Sequence, residues 1–435
     1  MAWAAVLLLM LCLAGGIYWT LGGAREITLQ FPEEHAAREA HRHAPENAML
    51  LLAEAVSALP QKPGADTAAA WVQSRTPESA SFNTSQPAGT TLAALCGVEL
   101  PSDGDAINQY VNDSTAAWEM LKSALQQPHC LALEHARFLG ESTQLGLIQL
   151  GRNLVALGRV RFEASPEPDA LAPLFDAVRL ARMLSREQDL LRVSHAIESP
   201  AWQQIRYLAQ SGGKPGLLAN AIGQVGIGYL PRREVLRTLW LDVDDLIGPR
   251  KNAPGLRSKF GRFRAFNTGA VQRLVLRFQA RQAEMMEIAD QAPPRMRLWL
   301  DANAMPQGVV DETGVCLQIA EGLHLAGEIS SEFAATLLTL ALEAYRDIYG
   351  EYPQKLDALL PHFYATPPVD PYTLQTYGYR PKSNGYVIYS FGENLMDDGA
   401  DLQKDRIIVE YTRAESDVAA EAEAEPETET VPREE

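Results

Sequence analysis

The sequence predicts a mainly α protein that closes on a small C-terminal α+β module with an antiparallel sheet. Three observations predict this class. Apolar residues recur at helical spacing through most of the chain, strand signals are nearly absent before residue 370, and the chain opens on an uncharged apolar run. With 435 residues, 46% of them hydrophobic and 21% charged, there is enough chain for two folded units, and the composition is globular. The formal net charge of −17 argues against a general nucleic-acid binder, which needs a basic surface against phosphate.

Ala2–Gly23 carries no charge, and its 22 residues match what a helix needs to cross a hydrocarbon core about 30 Å thick. Trp3 at one end and Tyr18 and Trp19 at the other suit the two membrane interfaces. No basic segment precedes the run, so residues 1–24 are predicted as a retained transmembrane anchor. The alternative is a signal peptide cleaved near Gly22-Gly23-Ala24. Arg25, Arg38 and Arg42 are mixed with Glu26, Glu33, Glu34 and Glu39, so flanking charge alone does not orient the anchor.

Residues 25–314 are predicted as a helical domain, a bundle or array. From Pro32 to Leu59, the residues Ala48, Leu51, Leu52, Ala55, Val56 and Leu59 share one helical face. Pro60–Thr91 is rich in Pro, Ala, Ser, Thr and Gly and reads as a linker. Further helices are predicted over Asp105–Leu125, Leu131–Leu157, Pro168–Leu184, Ser199–Ser211, Arg232–Ile247 and Ala270–Gln291, with a breaker at Gly212–Gly216. Arg250–Arg281 holds nine Lys/Arg and no Asp/Glu, with Phe260, Phe263 and Phe266 spaced by three. That pattern predicts a buried Phe stripe rimmed by Arg, the alternative being a surface for anionic lipid or an acidic partner.

Gly314–Tyr349 is predicted as a long helix opening the module at 315–411, with an apolar stripe through Leu337, Leu338, Leu340, Ala341, Ala344, Tyr345 and Ile348. Tyr377, Tyr379, Tyr386, Ile388 and Tyr389 alternate about Lys382-Ser383-Asn384-Gly385, which predicts a hairpin. The tail at 412–435 has nine Asp/Glu against Arg413 and Arg433 and reads as disordered.

Chemistry-bearing residues are sparse. Glu393, Asn394, Asp397, Asp398, Asp401 and Asp405 crowd one loop with Gly392 and Gly399. Closely spaced carboxylates and an amide oxygen suit a hard cation such as calcium, with Asn394, Asp397, Asp398, Asp401 and Asp405 as candidate ligands. An EF-hand is excluded because Met396 stands where an oxygen is needed. The competing reading is a solvated loop whose carboxylates cap turns. His35, His41 and His43 form one histidine group, and His129, Cys130, Glu134 and His135 another. Neither has zinc spacing. Cys12, Cys96, Cys130 and Cys316 include no C-x-x-C and read as buried thiols, with a Cys96–Cys130 disulfide as the extracytoplasmic alternative. Gly223-x-x-Gly226-x-Gly228 is not a dinucleotide fingerprint, and no hydrolase, zinc-protease or P-loop motif occurs.

The order Tyr349-Gly350-x-Tyr352-Pro353, Leu356, Leu359, Asp370-Pro371, Tyr389-Ser390-x-Gly392 and then the acidic loop resembles the C-terminal half of type II secretion major pseudopilins. The resemblance implies a long helix packed across a small sheet, calcium in the loop and a C-terminal part outside the cytoplasmic membrane. The chain lacks the basic leader and the Phe-Thr-Leu-x-Glu start of a pseudopilin, and the helical domain lies between anchor and module. It therefore looks more like large bacterial membrane-anchored proteins that end in such a module. The long helix is expected to belong to both units and join them rigidly. The expected role is a single-pass, extracytoplasmic structural or interaction protein with protein partners and no inferred catalysis. The alternatives are a component of, or adaptor to, a type II secretion or type IV pilus-like system, and a cell-envelope hydrolase working in a groove of the helical domain.

Overall fold

A computed structural model describes residues 32–42, 44–59, 113, 115–131, 141–187, 190–212, 214–230, 233–237, 291, 295, 315–366, 368–392, 394–401 and 403–413. The predicted anchor, linker, basic Phe stripe and nearly all of the acidic tail lie outside the described residues, as does most of the chain predicted as helices 232–247 and 270–291. Within the described residues the protein is mostly helical, with one small three-stranded antiparallel sheet.

The first described helices are α1 (Pro32–Arg42) and α2 (Ala48–Ser57), where the apolar periodicity predicts one continuous element. The break has a local cause. Pro45 has no N–H to continue a helix, and Asn47 caps the next one. Asn47 Oδ1 accepts from the backbone N–H of Met49 at 3.2 Å and of Leu131 at 2.9 Å. Its Nδ2 donates to the carbonyls of Arg42 and Leu131, both at 2.7 Å. One buried amide thus ties three segments.

Helices α3 (Thr115–Leu125), α4 (Glu141–Ala164), α5 (Ala172–Leu184), α6 (Leu191–Gln210) and α7 (Pro215–Val225) follow, with a 3-10 turn at Pro168–Leu171 before α5. Glycines on α4 let its neighbours approach closely. A Cβ at Gly151 would fall 2.5 Å from Ile197 Cγ2 on α6, and one at Gly158 would fall 2.6 Å from Leu174 Cβ on α5. Helix α6 starts well before the predicted Ser199, because Ser199-Pro200 reads as a boundary and is instead mid-helix. Pro200 leaves the carbonyl of Ala196 without its helical donor, and Arg152 Nε supplies one at 3.2 Å. Helix α7 begins on Pro215, inside the breaker predicted over Gly212–Gly216, and is capped by Gly226, whose φ of +68° is the left-handed conformation that glycine adopts cheaply.

Helix α8 (Val315–Tyr349) matches its predicted span. From Gly322 it is long and apolar enough to cross a membrane, yet 83% of its most apolar window is buried inside the protein. Its two faces serve two cores. Phe333 and Leu340 join the helical core with Trp202, Ile205 and Leu208, while Ala334, Ala335, Leu338, Ala341 and Leu342 pack on Tyr377, Tyr386, Ile388 and Val409 of the sheet region. After α8 come a 3-10 turn at Leu356–Leu359 and strands β1 (Gly378–Lys382), β2 (Gly385–Ser390) and β3 (Arg406–Thr412), in the order β1-β2-β3.

The predicted hairpin is present, with Lys382 opposite Gly385 and a two-residue loop, Ser383-Asn384. Gly385 belongs to the strand. A side chain there would collide with the carbonyl of Tyr411 on β3, so this glycine permits close strand pairing.

Candidate functional site

The acidic loop lies between β2 and β3, and each of its described Asn and Asp side chains already accepts at least one hydrogen bond. Asp405, almost fully buried, accepts from the backbone N–H groups of Ala400 at 2.8 Å, Asp401 at 3.2 Å and Asp398 at 3.4 Å. Asp397 Oδ1 accepts from Tyr389 Oη at 3.0 Å and the Gly399 N–H at 2.9 Å. Asp398 accepts from Asn394 Nδ2 at 2.6 Å and from Lys404 Nζ at 3.1 Å, and these two donors hold its carboxyl below the usual range. Asn394 Oδ1 and Asp401 Oδ1 accept from the N–H groups of Met396 and Gln403. The five candidate ligands share one loop, but each is turned toward a backbone or side-chain donor as a turn cap. Among the described residues no three His, Cys, Asp or Glu side chains group as metal ligands.

Asp-Pro and Tyr-Ser-x-Gly meet at one buried carboxylate. Asp370 is fully buried and accepts from Ser331 Oγ on α8 at 2.8 Å, Ser390 Oγ on β2 at 2.5 Å and Thr373 Oγ1 at 2.9 Å. It also accepts from the N–H groups of Tyr372 and Thr373. Five donors to one carboxylate offset its desolvation and pin helix, turn and sheet together.

A second polar seam joins α6, α8 and β3. Glu328 faces Arg406 at 3.2 Å, His324 Nε2 at 3.5 Å and His195 Nε2 at 3.6 Å. Burial alone would raise the pKa of Glu328, but Arg406, then His195 and His324, outweigh it and hold it low. Burial is also the main reason His195 sits below the ordinary imidazole value. The other ring nitrogen of His324 is 3.1 Å from Tyr372 Oη. One turn on, buried Arg206 holds the Glu332 carboxylate at 2.5 Å and the Thr336 hydroxyl at 3.0 Å. At the far end Glu343 is fully buried against Tyr352, Tyr386 and Arg346. Burial pushes its pKa up to about 7 despite these partners.

The sequence reading missed His195 and His324. His324 and Glu328 do stand at i, i+4 on α8, the spacing of a facing pair. Nothing local points to His195, which α6 brings in. Of the predicted histidine groups, His41 and His129 meet as stacked rings 4.1 Å apart, while His43, Glu134, His135 and the side chain of His35 lie outside the described residues. Cys130 is a buried free thiol whose pKa burial drives far up.

A cleft of about 520 Å³ opens beside Cys130, between the end of α5, the chain after α3 and the segment Gly226–Tyr229. Among the described residues its charged lining is Arg179, Arg182 and Arg186. The chain matches no family model, no curated protein and no solved structure.

Proposed function

We propose that the protein is a single-pass, extracytoplasmic interaction protein of the cytoplasmic membrane, built from a partner-binding helical domain and a pseudopilin-like C-terminal module. The observation that carries this reading is the Asp370 hub. The residues on which the resemblance rests, Asp370-Pro371 and Ser390 of Tyr-Ser-x-Gly, are bonded to each other and to α8 through Ser331. They act as one structural device, which supports the reading. The apolar run Ala2–Gly23 supports the anchor. A seam of buried and half-buried ion pairs and phenols from Glu328 to Glu343 ties the module to the helical domain, as a scaffold requires.

In the same reading calcium ligates the acidic loop through Asn394, Asp397, Asp398, Asp401 and Asp405. The ion would have to replace the hydrogen bonds these side chains now make, so its affinity depends on that exchange.

One experiment with two arms tests the reading. Cells expressing the full chain with a C-terminal epitope are converted to spheroplasts, fractionated and exposed to protease. The epitope should stay with the membrane after alkaline extraction and be digested from outside. A soluble or protected epitope would overturn the placement. In the second arm, calcium should raise the melting temperature of the wild type but not of the Asp397→Ala, Asp398→Ala double variant. Equal melting with calcium and with chelator would remove the ion from the proposal.

A further inference from the structure

The cleft at the end of α5 has a charge pattern that neither the polar seam nor the acidic loop uses. Arg179 and Arg182 enter it from the last turns of α5 and Arg186 from the turn just after it, and its described lining contains no Asp or Glu. Three guanidinium groups facing one concave space repel each other unless something neutralises them. Two are braced from behind. Asp176 Oδ1 accepts from Arg179 at 2.9 Å, and its other oxygen holds Trp118 Nε1 at 3.0 Å. Glu198, fully buried, accepts from Arg182 Nε at 2.8 Å and from Trp202 Nε1 at 2.9 Å. Each acid fixes its arginine by one edge and leaves other guanidinium donors unused. Arg186 is exposed; its backbone N–H donates to the Met183 carbonyl, and its guanidinium has no hydrogen-bond or ion-pair partner among the described residues.

Apart from Gln127 and Cys130, the rest of the described wall is largely apolar. Leu125, Met183, Ile227 and the half-exposed Tyr229 ring supply apolar surface. Gly226 and Gly228 keep that side of the cleft open, and a Cβ at Gly228 would meet nothing within 4 Å. An apolar wall with a few convergent donors, at this volume, is the usual form of a small-ligand site. Guanidinium forks select planar or tetrahedral oxyanions.

We propose that this cleft binds a small ligand carrying a phosphate or carboxylate group on an apolar body. The oxyanion sits between Arg186 and the free edges of Arg179 and Arg182, and the apolar part lies along Tyr229 and Met183. The site is independent of the membrane placement and of the acidic loop, so it stands or falls separately.

The test is calorimetric titration of the full chain, in a neutral detergent, with 1-naphthyl phosphate, 1-naphthoate, 1-naphthol and inorganic phosphate. The two naphthyl anions should bind saturably, at least tenfold tighter than naphthol or inorganic phosphate. Their ratio tells which oxyanion the site prefers. Arg186→Gln should weaken the preferred anion about tenfold and Arg186→Glu should abolish binding, both without loss of melting temperature, because Arg186 is exposed. Gly228→Trp should block the cleft by bulk alone. The proposal fails if no anion saturates, if naphthol binds as tightly, or if the Arg186→Gln and Gly228→Trp variants bind like the wild type.

Discussion

Glu343 illustrates how a single residue sets a property of the fold. Its carboxyl is fully buried, takes hydrogen bonds from Tyr352 and Tyr386, and faces Arg346 at 2.8 Å. Burial still dominates and pushes its pKa from the model-compound value of 4.5 up to about 7. Between those values the folded state binds more protons than the unfolded state. Stability from this group is therefore complete below about pH 4.5 and is lost as pH rises through 7. His195 acts in the opposite sense. Burial lowers its pKa, so it withdraws stability as pH falls below the ordinary imidazole range. Glu343→Gln should remove a decline on the order of 2 kcal/mol between pH 5 and 8. Urea unfolding at a series of pH values measures this, and an unchanged slope would show that Arg346 keeps the carboxylate ionised. None of this is legible in the sequence, where Glu343 is one acid among many on a helix.

At the scale of elements, α4 is held by what it lacks. The Gly158 position approaches not only Leu174 Cβ but also the Leu174 backbone nitrogen, 3.0 Å from an added Cβ, and backbone cannot rotate aside. Gly158→Ala should therefore destabilise the protein by about 1–3 kcal/mol through overpacking. Gly223 on α7 is the internal control. A Cβ there meets nothing, so Gly223→Ala should stabilise by about 0.5–1 kcal/mol from helix propensity alone. Chemical denaturation of the two variants reads the difference, and equal stabilisation of both would contradict the packing of α4 on α5. Element boundaries were legible where their signals are local, as with α8 and the Asn384-Gly385 hairpin. Local signals mislead where a distant residue compensates a local defect. Pro200 signals a helix start, and only Arg152 from α4 makes it tolerable inside α6. The run Gly212–Gly216 reads as a breaker, yet α7 starts within it at Pro215, because proline suits the first helical position.

The whole molecule is organised about α8, which lends one face to the helical core and the other to the sheet. The last residue of α6 adds a second link. Gln210 donates to Tyr386 Oη at 3.0 Å, and its carbonyl accepts from Tyr411 Oη at 2.8 Å. Arg206 on α6 holds Glu332 on α8 across 126 residues of chain. With so many buried bonds across the seam, helical unit and module should open together. Native-state hydrogen exchange should give slow amides of α6 and of β2 the same opening free energy, and Arg206→Met should lower both equally. Distinct opening energies would mean two bodies on a hinge.

The sequence by itself determined the helical class, the long helix, the hairpin and the crowding of carboxylates between β2 and β3. Each of these is a pattern within one segment, where periodicity and turn chemistry act over a few residues. Only the tertiary structure decided which side chains meet: His195 with Glu328, Asp370 with Ser331 and Ser390, and the arginines of α5 with the glycines after α7. It also decided what the crowded carboxylates do, because their donors include Tyr389 on β2 and Lys404 beyond the turn. The physical reason is that such meetings depend on how helices pack at their close-approach points, and packing joins residues that no local pattern relates.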